Sequence, residues 1–315
     1  MDYKDNRKLR KFIDCIHKNP GYIYLVLSFI LAGATMCIGK WLLESMNPIQ
    51  LNTYCAAIGF VITVGINLKL NKDRKKSPKK EQEIDIANLI FIALTGYILI
   101  AICYDTALWV MPVSQTIILY YLYPIFIFLA CRLFIKKEDT SFSPAKIIGL
   151  LLAFSGAVLV ATEGNFSLGL SSLNTFGIFF IGLSICIMVT YTIRVKKTEK
   201  EIPPLKFLFT GQLLALIIGP AILTYYHWWI MVNGVQIVCM IITAITYNAY
   251  SVLYLKATKL LPNQKLASWS YLEPVIAAGI AVVFLGESLG WYAIIGSFLV
   301  LVGIFIGYKE YTVEN

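Results

Sequence analysis

Few residues of this chain are suited to chemistry, and most of them lie inside long apolar runs. Glu273 stands about ten residues into the run from Gln264 to Leu285. A carboxylate at the bilayer centre costs roughly 2.5–3.5 kcal/mol on insertion scales, so it must face protein or a water-filled cavity. There it can bind a cation or carry a proton, or simply accept a fixed hydrogen bond. Tyr121, Tyr123 and Tyr271 stand close to two mid-run prolines, Pro124 and Pro274. Tyr97 and Tyr104 are seven residues apart, as are Tyr247 and Tyr254, with Tyr250 between the latter. That spacing is about two helical turns, so each pair shares a face. Aromatic rings with one acid make a cage for an organic cation; the same set also suits an aromatic amino acid. Each tyrosine, taken singly, also reads as ordinary packing or as part of an interfacial belt. Asn248 adds a buried amide able to contact a ligand. The substrate-binding candidates are therefore Glu273, Tyr271, Tyr121, Tyr123, Tyr97, Tyr247, Asn248 and Tyr250. The prolines predict kinks, because each lacks a donor and clashes with the carbonyl four residues back. The carbonyls released are those of Tyr120 and Ser270, tolerated at depth only against protein or a cavity. Pro124 and Pro274 are thus candidate hinges.

Other chemistry is missing. There is no His-Glu-x-x-His, no Gly-x-Ser-x-Gly and no paired histidines, so no catalytic residue, cofactor or metal is expected. The segment from Gly33 to Gly39-Lys40 is one residue too long for a phosphate loop and places Trp41 where Ser or Thr belongs. His227-Trp228-Trp229 reads as an aromatic belt, and the other histidine, His17, is expected on the opposite side of the membrane. Asp105 and Glu163, near run ends, and Glu287, in the turn Gly286–Gly290, read as solvated, with an outer vestibule as the other reading for Asp105. Of seven cysteines, Cys15 lies in the N-terminal tail and the rest within runs, where thiols act as small apolar groups. No disulfide is expected.

The elements that must position these residues follow from composition. Of 315 residues, 58% are hydrophobic and 14% charged, with a mean hydropathy of +0.72. A globule of this size cannot hide that much apolar surface, so a soluble enzyme, a disulfide scaffold and a disordered chain are excluded. A spanning helix needs roughly 20 apolar residues. Ten runs qualify: Gly21–Leu43, Ile49–Leu70, Ile86–Ala107, Pro112–Phe134, Pro144–Thr162, Leu173–Ile193, Pro204–Tyr225, Val235–Leu255, Gln264–Leu285 and Gly290–Tyr308. If they alternate in direction, 26 of the 27 Lys and Arg fall on one side, with Lys40 the exception. Cytoplasmic loops collect these cations, so both termini are expected in the cytoplasm. The basic stretch Lys69–Asp85 reads as an orientation signal near anionic headgroups rather than a nucleic-acid patch. The N-terminal basic segment with Ala32-Gly33-Ala34 resembles a cleavable signal peptide, but its apolar run continues to Leu43 and reads as an uncleaved first span.

The chain also repeats itself. At an offset of 150 residues Tyr97 falls on Tyr247, Tyr104 on Tyr254, Ala107 on Ala257, Pro112 on Pro262, and Tyr121-Leu122-Tyr123-Pro124 on Tyr271-Leu272-Glu273-Pro274. Beyond a three-residue loop difference Gly149 pairs with Gly296 and Gly156 with Gly303. Upstream, an offset of 156 pairs Gly21 with Gly177, Ser28 with Ser184, Lys40 with Lys196 and Pro48 with Pro204. The unit is five spans, and five is odd, so the second copy enters the membrane from the other side. Inverted repeats of this kind characterise many secondary transporters, whose sites lie near the midplane where the copies meet. The expected fold is therefore all-α, ten transmembrane helices as two inverted-topology five-helix repeats, residues 1–163 and 164–315. Lys40 reads as a remnant of the repeat as much as a functional group. The small-residue faces around Gly149, Gly156, Gly296 and Gly303 suit close packing, at the internal seam or a second copy, leaving a monomer or homodimer.

The stretch Ser270-Tyr271-Leu272-Glu273-Pro274-Val275, then Leu285-Gly286-Glu287-Ser288-Leu289 and the Gly-rich last span, resembles the drug/metabolite transporter superfamily, in particular its ten-helix EamA-type members. So do Ala107 to Pro124, with Gly149 and Gly156, and the opening Asn47-Pro48-Ile49-Gln50. Many members carry an arginine a few residues into span 2, where this chain reads Asn52-Thr53-Tyr54-Cys55. The resemblance implies a small-molecule carrier in the plasma (inner) membrane. The expected function is secondary-active transport of a small polar metabolite, such as an amino acid or organic cation, by alternating access, with export as one direction and a proton as one candidate coupling ion. An uncoupled facilitator is the nearest alternative. An intramembrane enzyme is disfavoured because Glu273 lacks a second acid or histidine partner, and a receptor because little chain lies outside the membrane.

Overall fold

A computed structural model describes residues 19–74, 85–111, 116, 119–134, 144–162, 174–198, 202–276, 279 and 290–311. No strand occurs among them. The helices are α1 (Pro20–Leu43), α2 (Pro48–Arg74), α3 (Ile86–Val110), α4 (Tyr123–Phe134), α5 (Pro144–Thr162), α6 (Thr175–Lys197), α7 (Pro204–Tyr225), α8 (Gly234–Leu260), α9 (Asn263–Ser270) and α10 (Trp291–Tyr311). Six of them (α1, α2, α3, α6, α7 and α8) are long and apolar enough to cross a membrane, and α5 and α10 contain shorter apolar helices. In lipid a backbone must satisfy its own polar groups, which a helix does within itself. The helices turn large apolar side chains outward, among them Phe179, Ile217 and Phe298. The chain is an all-α, multi-pass membrane protein of ten helices in two five-helix repeats.

Packing follows the repeat. The pair α1–α8 has its counterpart in α3–α6, and α2–α7, α4–α9 and α5–α10 each join a helix to its own repeat partner. The direction of the symmetry is written in the glycines. A Cβ on Gly156 would stand 2.5 Å from the carbonyl oxygen of Gly296, and one on Gly303 would stand 2.5 Å from that of Gly149. These contacts exchange the halves while running in opposite directions along α5 and α10. A twofold axis that does so is perpendicular to both helices. For helices that span a membrane, that axis lies in the membrane plane.

Two of the expected kinks are breaks. Backbone turns at Tyr121-Leu122 precede α4, which opens on Tyr123-Pro124. A turn at Tyr271 ends α9, and the helix resumes at residues 272–276 around Glu273-Pro274. A third irregularity has no repeat counterpart. Leu94–Leu99 of α3 forms a π-turn, whereas α8 is a continuous α-helix.

Lys40 has a structural task. Its Nζ donates to Leu108 O, near the C-terminal end of α3, at 3.0 Å. Its repeat partner Lys196 donates to Leu261 O, just beyond α8. Carbonyls at a helix C-terminus lack intrahelical partners, and a cation there also meets the negative end of the helix dipole. Lys40 therefore tethers α1 to α3, as Lys196 tethers α6 to α8.

Candidate functional site

A cavity of about 160 Å³ opens between the two repeats. A single water needs about 10–15 Å³ on the same measure, so the space suits a small metabolite. Its wall comes from α1, α2, α3, α6, α7 and α8, the break before α4, and Glu273. Neither α5 nor α10 contributes; that pair packs behind the wall. The breaks before Pro124 and Pro274 bring Tyr120, Tyr121, Tyr123 and Glu273 to one side. The face of α3 carrying Tyr97 and Tyr104 and the face of α8 carrying Tyr247, Tyr250 and Tyr254 supply the other. The rings touch in two sets: Tyr104 and Tyr120 centroids are 4.8 Å apart and Tyr120 and Tyr123 5.0 Å, while Tyr97 and Tyr247 are 5.1 Å apart.

Of the expected site residues, Glu273, Tyr121, Tyr123, Tyr97, Tyr247 and Tyr250 line this cavity. Tyr271 and Asn248 do not. Tyr271 packs its ring toward Phe154 of α5, centroids 6.1 Å apart. Asn248 faces α7 behind the wall, where its Oδ1 accepts from the Tyr97 hydroxyl and from Gln212 Nε2, each at 3.1 Å. The Tyr247 hydroxyl donates to Tyr97 O at 2.7 Å, inside the π-turn. Gln212 and Asn248 thus hold the tyrosine wall from behind. Gly59 of α2 leaves them room, since a Cβ there would stand 2.8 Å from Asn248 Nδ2.

Asp105 corrects the sequence expectation. It is half-buried in the cavity wall, and its Oδ2 accepts from Asn52 Nδ2 at 2.8 Å. The apolar run was expected to end at Ala107, but α3 continues to Val110 and carries Asp105 more than a turn inside. Tyr104 and Tyr254, on the same helical faces as Tyr97 and Tyr247, also line the cavity. Asn52 is the amide that holds Asp105. Among the described residues the cavity wall therefore has two acids, Asp105 and Glu273. Among the described residues that line it there is no Lys, Arg or His. Glu273 makes no hydrogen bond or ion pair with a described residue, so its carboxylate remains available to a ligand.

The family profile described as "EamA-like transporter family" matches residues 19–162 and again residues 175–308. With that match across both halves and an inverted pair of five-helix units around one cavity, the chain belongs to the EamA-like transporter family. It is a membrane transporter. Among solved structures, one described as "Crystal structure of protein" is similar with a TM-score of 0.71 at 15% identity, covering 92% of this chain and 97% of its own. No curated protein sequence matches the chain.

Proposed function

We propose that this protein is a secondary transporter that binds a small polar metabolite in the cavity between its repeats and exposes it to each side in turn. The observation that carries this reading is the pair of broken helices, α4 and α9, meeting at that cavity. A helix interrupted at a proline can change direction by altering few backbone dihedrals, which suits Pro124 and Pro274 to be hinges. An organic cation and an amino acid are both candidate substrate classes, and export is one direction the cycle allows. Glu273, unpaired in the wall, is the group that would take up a coupling proton, which favours coupled transport over a facilitator. Catalysis is not proposed: the two acids are not joined by histidine or by any described cation in the wall.

Counterflow in reconstituted vesicles tests the reading. Vesicles preloaded with unlabelled substrate should accumulate labelled substrate transiently above equilibrium, a result a channel or receptor cannot give. Absence of an overshoot for a solute that binds would overturn it.

The 26-to-1 cation distribution further supports placing both termini in the cytoplasm of a cell whose plasma membrane holds the protein. The α7–α8 connection, where Met231 is 101% exposed, then lies outside. On intact cells, Met231→Cys in a background without other cysteines should react with a membrane-impermeant maleimide. Lys197→Cys in the same background should react only after permeabilisation. The opposite pattern would reverse the orientation.

A further inference from the structure

We infer that the cavity takes a linear molecule carrying a positively charged amine at each end. This rests on the reading of the cavity as the transport site and names the substrate class. The two carboxylates belong to different regions of the wall. Asp105 lies with Asn52 and Cys55 near the beginning of α2, where Cys55 Sγ approaches Met240 O of α8 at 3.8 Å. Glu273 lies beside the break that ends α9 and lines the cavity with Tyr254. Both carboxylates line the same cavity as Tyr104, so they share one continuous space.

Each region also holds a buried hydroxyl in the cavity wall. Thr243 is 5% exposed and Tyr254 3% exposed; both line the cavity, the Thr243 hydroxyl has no hydrogen-bond partner among the described residues, and the Tyr254 hydroxyl lies beside Ser270. They are about three turns apart along α8, Thr243 one turn beyond Met240 and Tyr254 toward Glu273. Buried polar groups are normally satisfied, so the orphaned Thr243 hydroxyl in this cavity points to a ligand that bonds there. A protonated amine has only donors to offer, three of them. A carboxylate, a hydroxyl and a tyrosine face receive such a group at each end.

Other charge patterns fit less well. An anion or the carboxylate of an amino acid would meet two acids and no described cation in the wall. A molecule with one amine would meet only one of the two carboxylates in the wall. An apolar chain between the amines would lie along the tyrosine rings of α3, α4 and α8.

Calorimetry on the purified full-length protein decides the matter, using a series of α,ω-diaminoalkanes, n-alkylamines of matched length, and a neutral amino acid. The best diamine is expected to bind at least tenfold more tightly than the monoamine of its length. Asp105→Asn should reduce diamine affinity to the monoamine level, and Glu273→Gln should do the same. Equal binding of diamine and monoamine by the wild type would overturn the inference, and needs no variant to fold. So would a preference that survives Asp105→Asn, or tighter binding of the amino acid. Vesicles separate the two readings. Diamines that bind without being moved refute the transport reading alone. A different solute moved while diamines fail to bind refutes this inference alone.

Discussion

Replacement of Glu273 by glutamine is expected to lower transport at least tenfold while leaving insertion and folding close to wild type. A tenfold loss corresponds to ~1.4 kcal/mol in the limiting step. Glutamine preserves the volume of the side chain and removes only the charge and the ability to exchange a proton. The surroundings are already polar, with Tyr120, Tyr121, Tyr123 and Tyr254 near the carboxylate and the helix interrupted at Tyr271. No described residue depends on Glu273 for a hydrogen bond, so its loss strands no partner. Tyr123 occupies the equivalent position in the first repeat, and Tyr123→Phe should cost less, because it removes a hydroxyl and no charge. Initial rates in reconstituted vesicles measure both. A Glu273→Gln protein that moves substrate at the wild-type rate would make Glu273 a structural residue.

A methyl group at the α5–α10 seam should be as damaging to stability as the loss of Glu273 is to transport. At Gly303 a Cβ would stand 2.5 Å from both Ala153 N and Gly149 O, and at Gly156 it would meet Gly296 O and Val300 N. These neighbours are backbone, which cannot swing aside as a side chain can. The helices must separate, and overpacking of this kind costs typically about 1–3 kcal/mol. Small residues matter more here than in a soluble core, since close approach of backbones is a main source of helix association in lipid. Gly303→Ala and Gly156→Ala should each unfold at lower temperature in detergent than the parent. Gly182→Ala is the control, because nothing lies within 4 Å of a Cβ there. If Gly303→Ala melts together with Gly182→Ala, the seam is not close-packed and the symmetry drawn from it fails. Transport by these variants should fall only with the amount of folded protein, since α5 and α10 do not reach the cavity.

Much of this architecture is a one-dimensional property of the chain. A span is a matter of apolar length, and length can be counted. The repeat is a matter of residues at constant offset, and prolines, glycines and tyrosines recur too rarely for such matches to arise by chance. The odd number of spans per unit then dictates inversion, and the glycine contacts between α5 and α10 have the direction that inversion requires. Glu273 was legible for the same reason: an acid deep in an apolar run must have a polar neighbour or a cavity, wherever the run is placed.

Which side of a helix faces which neighbour was not legible, because spacing relates residues of one helix to each other and not to the rest of the molecule. Tyr121 and Tyr271 are repeat partners at equivalent breaks, yet one lines the cavity and the other packs toward Phe154. Asn248 follows Tyr247 directly, but one residue is about 100° around a helix. It therefore points to Gln212 and the back of the Tyr97 ring. Asp105 depended on a boundary: a run judged to end at Ala107 leaves it near solvent, and three more residues of helix bring it into the wall. No local signal extends that helix. Lys40 tethers the end of α3, and Asn52 holds Asp105, across sequence separations of 68 and 53 residues. Composition and periodicity determined that there would be ten helices, two inverted halves and an intramembrane acid. The rotation of each helix about its axis, set by packing between the halves, alone decided that the acid would have a second carboxylate for company.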